Sequence, residues 1–256
     1  MELIMKLNRL SVNILTLLIY LGAQFITLIP GLYYKSKGLS YNEINQIALS
    51  WLPPTFIVAT ILIVFLHTRV KNETRLERSK KAKWTETLIW MFAGVFLAFF
   101  AQMIMGMINV YILNQPIESQ NTKNLMQVAK KMPMFIILIS VFGPILEEYV
   151  FRKVIFGELF EFLKFNRVIA FIISGLISGL IFAAAHGDFD HTLIYLGMAF
   201  VFSGLYVATK RIIVPMFAHA MMNTTVVLVQ LVFADKLEHL QQQAKQTAQI
   251  ILHIIQ

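Results

Sequence analysis

Glu147, Glu148, Arg152, His186, His219 and Asn223 stand inside runs that are otherwise almost wholly apolar. An ionised side chain at the centre of a bilayer costs about 2.5 kcal/mol or more, so polar groups retained there are candidate functional positions. In Glu147-Glu148-Tyr149-Val150-Phe151-Arg152 the second carboxylate and the guanidinium are spaced i, i+4 with the acid first. That is the favourable order for an ion pair along one helix stripe. The two carboxylates are adjacent, about 100° apart on a helix, which predicts separate partners. Glu147 is then left without a local cation, and a buried carboxylate of that kind suits a general base that takes a proton from water. Taken alone, the string reads first as a structural charge cluster at a helix end.

Phe182 precedes His186 by one helical turn, close enough to pack on the imidazole and fix its rotamer. By itself His186 reads as a residue at the water boundary. His219 and Asn223 again share one face at i, i+4. His219 lies about 12 Å along its helix from Arg211, too deep to be hydrated by snorkelling. Its burial calls for a function, whereas Asn223 is evenly balanced between function and interhelical hydrogen-bond glue.

These residues must be positioned by membrane helices. The chain of 256 residues is 57% hydrophobic and 14% charged, with mean hydropathy +0.68. Soluble proteins carry roughly 45–50% apolar and 25% charged residues, so an ordinary soluble globule is excluded. About seven runs are long enough to span a bilayer, over residues 10–31, 50–67, 84–113, 133–151, 168–185, 192–209 and 212–234. The fold expected is an all-α, polytopic integral membrane helix bundle of about seven to eight transmembrane helices. It divides into N-terminal helices with a basic loop (1–132), a motif-bearing core (133–234) and an interfacial tail (235–256).

Lys6 and Arg9 precede the first run as they would in a signal peptide, but the run is too long and no A-x-A site follows, so it is read as retained. The loop after the second run holds Arg69, Lys71, Arg75, Arg78, Lys80, Lys81 and Lys83 against Glu73 and Glu77. Excess Lys and Arg mark cytoplasmic loops, which places this loop and the N-terminus inside. A net charge of +8 in so apolar a chain points to an anionic lipid membrane as partner, with no nucleic acid. No cysteine is present, so catalysis must use carboxylates, histidines or hydroxyls. His67, His239 and His253 are expected in water, and His191, with Asp188 and Asp190, in an outward-facing loop. Gln102 and Asn109 are expected to satisfy each other or a neighbouring helix.

EExxxR, FxxxH and HxxxN, in that order on three apolar helices, resemble the signature of the CPBP (Abi-like) family of intramembrane proteases. That family includes the type II CAAX prenyl endopeptidases and bacterial relatives linked to bacteriocin immunity and peptide processing. The resemblance covers residues 133–234 and implies a catalytic set of Glu147, His186, His219 and Asn223. Glu147 would activate water with help from His186, and His219 and Asn223 would stabilise the oxyanion. Glu148, Arg152 and Phe182 would support them. The implied activity is hydrolysis of a peptide bond in a small hydrophobic or membrane-associated peptide or protein, near the cytoplasmic face of a cell membrane, in a bacterial setting.

Two routes stay open for the cofactor: zinc held by Glu147, His186 and His219, or acid–base chemistry without metal. HExxH, the stronger zinc signature, is absent. A non-catalytic immunity or binding protein on the same scaffold is the competing reading. A proton-coupled carrier is a weaker one, since no inverted repeat is visible. Counting residues from the loops also leaves a mismatch, with His186 near the outer end of its helix and Glu147 and His219 in mid-membrane.

Overall fold

The computed structural model describes residues 6–233 and four isolated positions beyond them. Inside lipid every backbone N–H and C=O must be paired within the segment, and helices achieve this. The helices are α1 (Arg9–Gln24), α2 (Leu28–Ser36), α3 (Tyr41–Ser50), α4 (Leu52–Thr68), α5 (Arg75–Arg78), α6 (Trp84–Tyr111), α7 (Gln120–Lys131), α8 (Met134–Phe162), α9 (Arg167–His186), α10 (Thr192–Thr209) and α11 (Ile213–Val232). Among the described residues six stretches are long and apolar enough to cross a membrane, and the bent pair α1–α2 makes seven when counted as one. The only strands described are two residues each, β1 (Leu7–Asn8) and β2 (Val70–Lys71), paired in parallel.

Three boundaries differ from the sequence expectation. The first run is broken, with α1 and α2 bent by 42°. Pro30 sits in the first turn of α2, where its missing N–H is tolerated, and it could not continue the ladder from α1. The second run begins earlier, because Ser40 and Glu43 form a capping box that starts α3. α8 continues past Phe151 to Phe162, because its later charges find partners elsewhere instead of ending the helix: Lys153 pairs with Glu77, Glu158 with Arg9 and Glu161 with Arg75. Apart from those four positions, the interfacial tail expected from residue 235, with His239 and His253, lies outside the described residues.

α6 packs against α10 and α11, α9 against α8 and α10, and α1 against α4. One face of α6 exposes Phe92, Phe96 and Phe100 at helical spacing, which is the lipid-facing side. α9 approaches α10 closely along its stripe of small residues: a Cβ on Gly179 would lie 2.6 Å from Leu196 Cδ1. The crossing of α1 over α4 corrects the reading of His67. It is buried, within 3.1 Å of Thr16 Oγ1 and with its ring 4.9 Å from that of Tyr149, because α1 covers this end of α4.

Candidate active site

α8 is wound unevenly. Leu138–Phe142 and Glu148–Phe156 adopt the wider π-type turn, and Glu147 stands between them. Each wide stretch closes on a glycine. Gly143 N–H donates to Leu138 O, and Gly157 N–H to Arg152 O, five residues back. A Cβ on Gly143 would lie 3.1 Å from Leu138 O, so a side chain here would press on that carbonyl. Pro144 follows with no N–H to offer Ile139, and Asn223 Nδ2 from α11 donates to that carbonyl at 3.2 Å. Asn223 thereby ties α11 to the loosened turn, and a second amide N–H remains for other use.

The wide turn changes how the two acids are shared. Glu148 is fully buried and meets Arg152 at 3.2 Å, as the i, i+4 spacing predicts. Its Oε1 also lies 3.0 Å from His219 Nδ1, while Glu147 Oε2 lies 3.7 Å from Nε2 of the same ring. The expectation of separate partners is therefore corrected: one imidazole is flanked by both acids. A π turn advances each residue by less than the roughly 100° of an α-helix, so adjacent side chains can straddle one ring. Arg152 is packed between aromatic faces, 4.3 Å from the Phe182 centroid and 5.2 Å from that of Phe202. Phe202 in turn stacks on His219 at 4.8 Å.

His186 is held from both sides. Its ring is 4.5 Å from Phe182 and 4.4 Å from Tyr195, and its Nδ1 lies 2.8 Å from Phe182 O. A carbonyl only accepts, so Nδ1 donates, and in the neutral ring Nε2 is left as a lone-pair acceptor. The depth mismatch disappears in the packing. Phe151 and Phe182 rings are 5.1 Å apart, which sets those positions of α8 and α9 at one level. The helices are antiparallel, so Glu147 and His186, each one turn further from the basic loop, are level too. Counting from the loops failed because α8 has 29 residues against 20 for α9 and overshoots it.

Glu147, His186, His219 and Asn223 all line one cavity of about 490 Å³, and Glu147 Oε2 within it is buried without a hydrogen-bond partner. Of the supporting residues, Phe182 also lines the cavity, and Glu148 and Arg152 lie directly behind it. The cavity extends to Ser119 and Asn121 before and at the start of α7, the end opposite the basic loop and not the side expected.

Sequence reasoning missed four of its residues. Tyr20 and Gln24, bonded at 2.7 Å, bring α1 to the site, and Tyr195 and Asn121 join α10 and α7 at 3.3 Å. Tyr20 and Gln24 are an i, i+4 polar pair within an apolar run, the same signal that exposed His219 and Asn223. His191 and Asp188 correct a further expectation. Both are buried and joined at 3.1 Å, with Ser119 Oγ donating to Asp188 at 2.6 Å. Burial pushes the Asp188 carboxyl up, but the bonds from Ser119 and His191 outweigh it and leave it below the usual carboxylate range. The segment before α7 covers these residues, so the loop they form at the end opposite the basic one buries them. Asn109 donates to Asp190 O at 2.8 Å and does not pair with Gln102.

Glu147, His186 and His219 have the donor types zinc uses, and both histidines have their Nδ1 engaged as metal-bound histidines do. As placed, Glu147 Oε2 and His219 Nε2 approach to 3.7 Å, and among the described residues no three His, Asp or Glu side chains form a group that would hold one ion.

Residues 129–225 match the family model described as Type II CAAX prenyl endopeptidase Rce1-like. The chain is 38% identical over 250 residues to the membrane-embedded CAAX protease MroQ of Staphylococcus aureus (strain USA300), covering 97% of this chain and 99% of that protein. It is 42% identical over 201 residues to YdiL of Bacillus subtilis (strain 168), a candidate membrane peptidase, covering 78% and 79% respectively. No solved structure gives a significant match. The likeness to MroQ runs the length of both chains, and the helices place the motif residues around one cavity inside a multi-pass bundle: the chain belongs to the Rce1-like CAAX protease family and is an intramembrane peptidase.

Proposed function

We propose that the chain hydrolyses a peptide bond in a small hydrophobic or membrane-associated peptide, with Glu147 as general base and His186 as its partner in holding the attacking water. The observation that carries this is that a buried carboxylate oxygen without a hydrogen-bond partner and the imidazole of His186, whose Nδ1 is engaged by Phe182 O, line one cavity. Two acceptors bind the two hydrogens of a single water and leave its lone pair for the scissile carbonyl carbon. Glu147 takes one proton as the C–O bond forms, and passes it to the leaving nitrogen as the C–N bond breaks. The oxyanion is stabilised by the second amide hydrogen of Asn223 and by His219 in the form that carries both ring protons, Nδ1–H donating to Glu148 and Nε2–H to the oxygen.

Arg152 neutralises Glu148, so the carboxylate that orients His219 is retained in a dry setting. Peptide enters from the end marked by Ser119 and Asn121, which is the outer face if the basic loop is cytoplasmic by the positive-inside rule. No step is routed through zinc.

The test is cleavage of fluorogenic apolar peptides by purified protein in detergent, alongside Glu147→Ala and His186→Ala. Both variants should bind peptide and leave it intact. Full cleavage by either would refute its assigned role, and binding without cleavage by the unsubstituted protein would favour an immunity or binding function. Dialysis against a chelator should leave the rate unchanged; a loss restored by zinc would instead assign a metal to the site.

A further inference from the structure

At the end of the bundle that carries the basic loop, α10 ends where α6 and α11 begin. Ala82 N–H donates to Thr209 O at 3.0 Å, and Arg211 Nε to Ala82 O at 2.9 Å. Beside this junction lies a second cavity of about 180 Å³, which shares no lining residue with the catalytic one. Its charged lining is Lys81, Lys153, Lys210 and Arg211 against Glu73 and Glu77. Lys153 and Glu77 pair with each other at 2.8 Å, which leaves three cations facing one carboxylate.

Lys210 is held at φ 55, the left-handed conformation that glycine normally supplies after a helix. Its ammonium donates to Ala208 O at 3.1 Å, which leaves two of its three N–H bonds for a further acceptor. The guanidinium of Arg211 lies 4.2 Å from the centroid of Trp84, the first residue of α6. Helix ends with a flanking tryptophan mark the level of the lipid headgroups, and basic pockets between helices at that level suit headgroup phosphates.

We propose that this cavity binds the phosphate of an anionic phospholipid headgroup. Lys81 and Lys210 neutralise it, and the terminal nitrogens of Arg211, whose Nε is already used, donate to two phosphate oxygens. Glu73 is left to accept from a headgroup hydroxyl, which favours a glycerol-bearing lipid over bare phosphate. The proposal stands independently of the peptidase mechanism.

The test is native mass spectrometry of the full chain released from nanodiscs containing phosphatidylglycerol and phosphatidylcholine, with Lys210→Gly and Arg211→Gln as variants. The unsubstituted protein should retain phosphatidylglycerol in preference. Lys210→Gly should lose about fivefold in that affinity, the equivalent of about 1 kcal/mol per cation, with its melting temperature in detergent equal or higher, since glycine fits the backbone. Arg211→Gln should lose more. Equal retention of the two lipids, or an unchanged affinity in Lys210→Gly, would overturn the proposal. Displacement of the lipid by millimolar inorganic phosphate would show a free-anion site and overturn the lipid assignment.

Discussion

α8 carries two sets of charges, the second beginning one residue after the first ends, and the bundle treats them differently. Glu148 and Arg152 have no solvent exposure and are enclosed by Phe182, Phe202 and His219. Lys153, Glu158 and Glu161 use the same chemistry to tie α8 to Glu77, Arg9 and Arg75 at a partly wet end. In the dry set each charge is indispensable to the others, because removing one strands its partner in a medium that cannot solvate it. In the wet set water replaces a lost partner, and the ion pairs serve mainly to align helices. Residue type therefore says little about role on this helix, whereas exposure says most of it.

Substitutions on the two sides can break that comparison. The largest effect is expected for Glu147→Gln, an isosteric change that should lower kcat by about 10²–10⁴ with the melting temperature retained. Glu158→Gln, the same change at the wet end, should leave kcat close to that of the unsubstituted protein, and equal losses would remove the distinction. Next, Arg152→Met should destabilise the protein by about 3–5 kcal/mol, read from unfolding in detergent. Replacing Glu148 with Leu as well should recover most of that stability without activity, because His219 then lacks its acceptor.

A smaller effect concerns pH. Burial raises the Glu77 carboxyl, but Lys153 and the bonds from Thr74 prevail and hold it below the usual range. A depressed folded value contributes stability above the ordinary glutamate value of about 4.3, and that stability is lost as the pH falls through the folded value. Acid unfolding curves of Lys153→Met should therefore show a weaker loss below that pH than the unsubstituted chain. Smallest of all, Arg75→Ala at the exposed Glu161 pair should cost at most about 1 kcal/mol.

The site was legible because lipid makes polarity conspicuous: His219 and Asn223 stand out in an apolar run as they would not in a soluble helix. The sharing of His219 by adjacent acids was not, since a helical wheel assumes even winding and α8 has wide turns closed by Gly143 and Gly157. The sequence puts His67 in water and His191 in an outward-facing loop because both border loops. Their burial depends on α1 and on the segment before α7, which are far away in sequence. Tyr20 and Gln24 were within reach of the reasoning used for His219, had polar pairs been sought outside the motif helices. Six of the spans follow directly from apolar runs, and the break after α1 traces to Pro30.

The central claim is that Glu147 activates water and does not itself attack the substrate. A single turnover in oxygen-18 water, followed by mass spectrometry of the product, of the peptide containing Glu147 and of rapidly quenched protein for an acyl adduct on Glu147, which must stay absent, separates the two. The account predicts one heavy oxygen in the new carboxylate of the product and none in Glu147. Heavy oxygen incorporated into the Glu147 side chain would mean an acyl-enzyme anhydride and would contradict it.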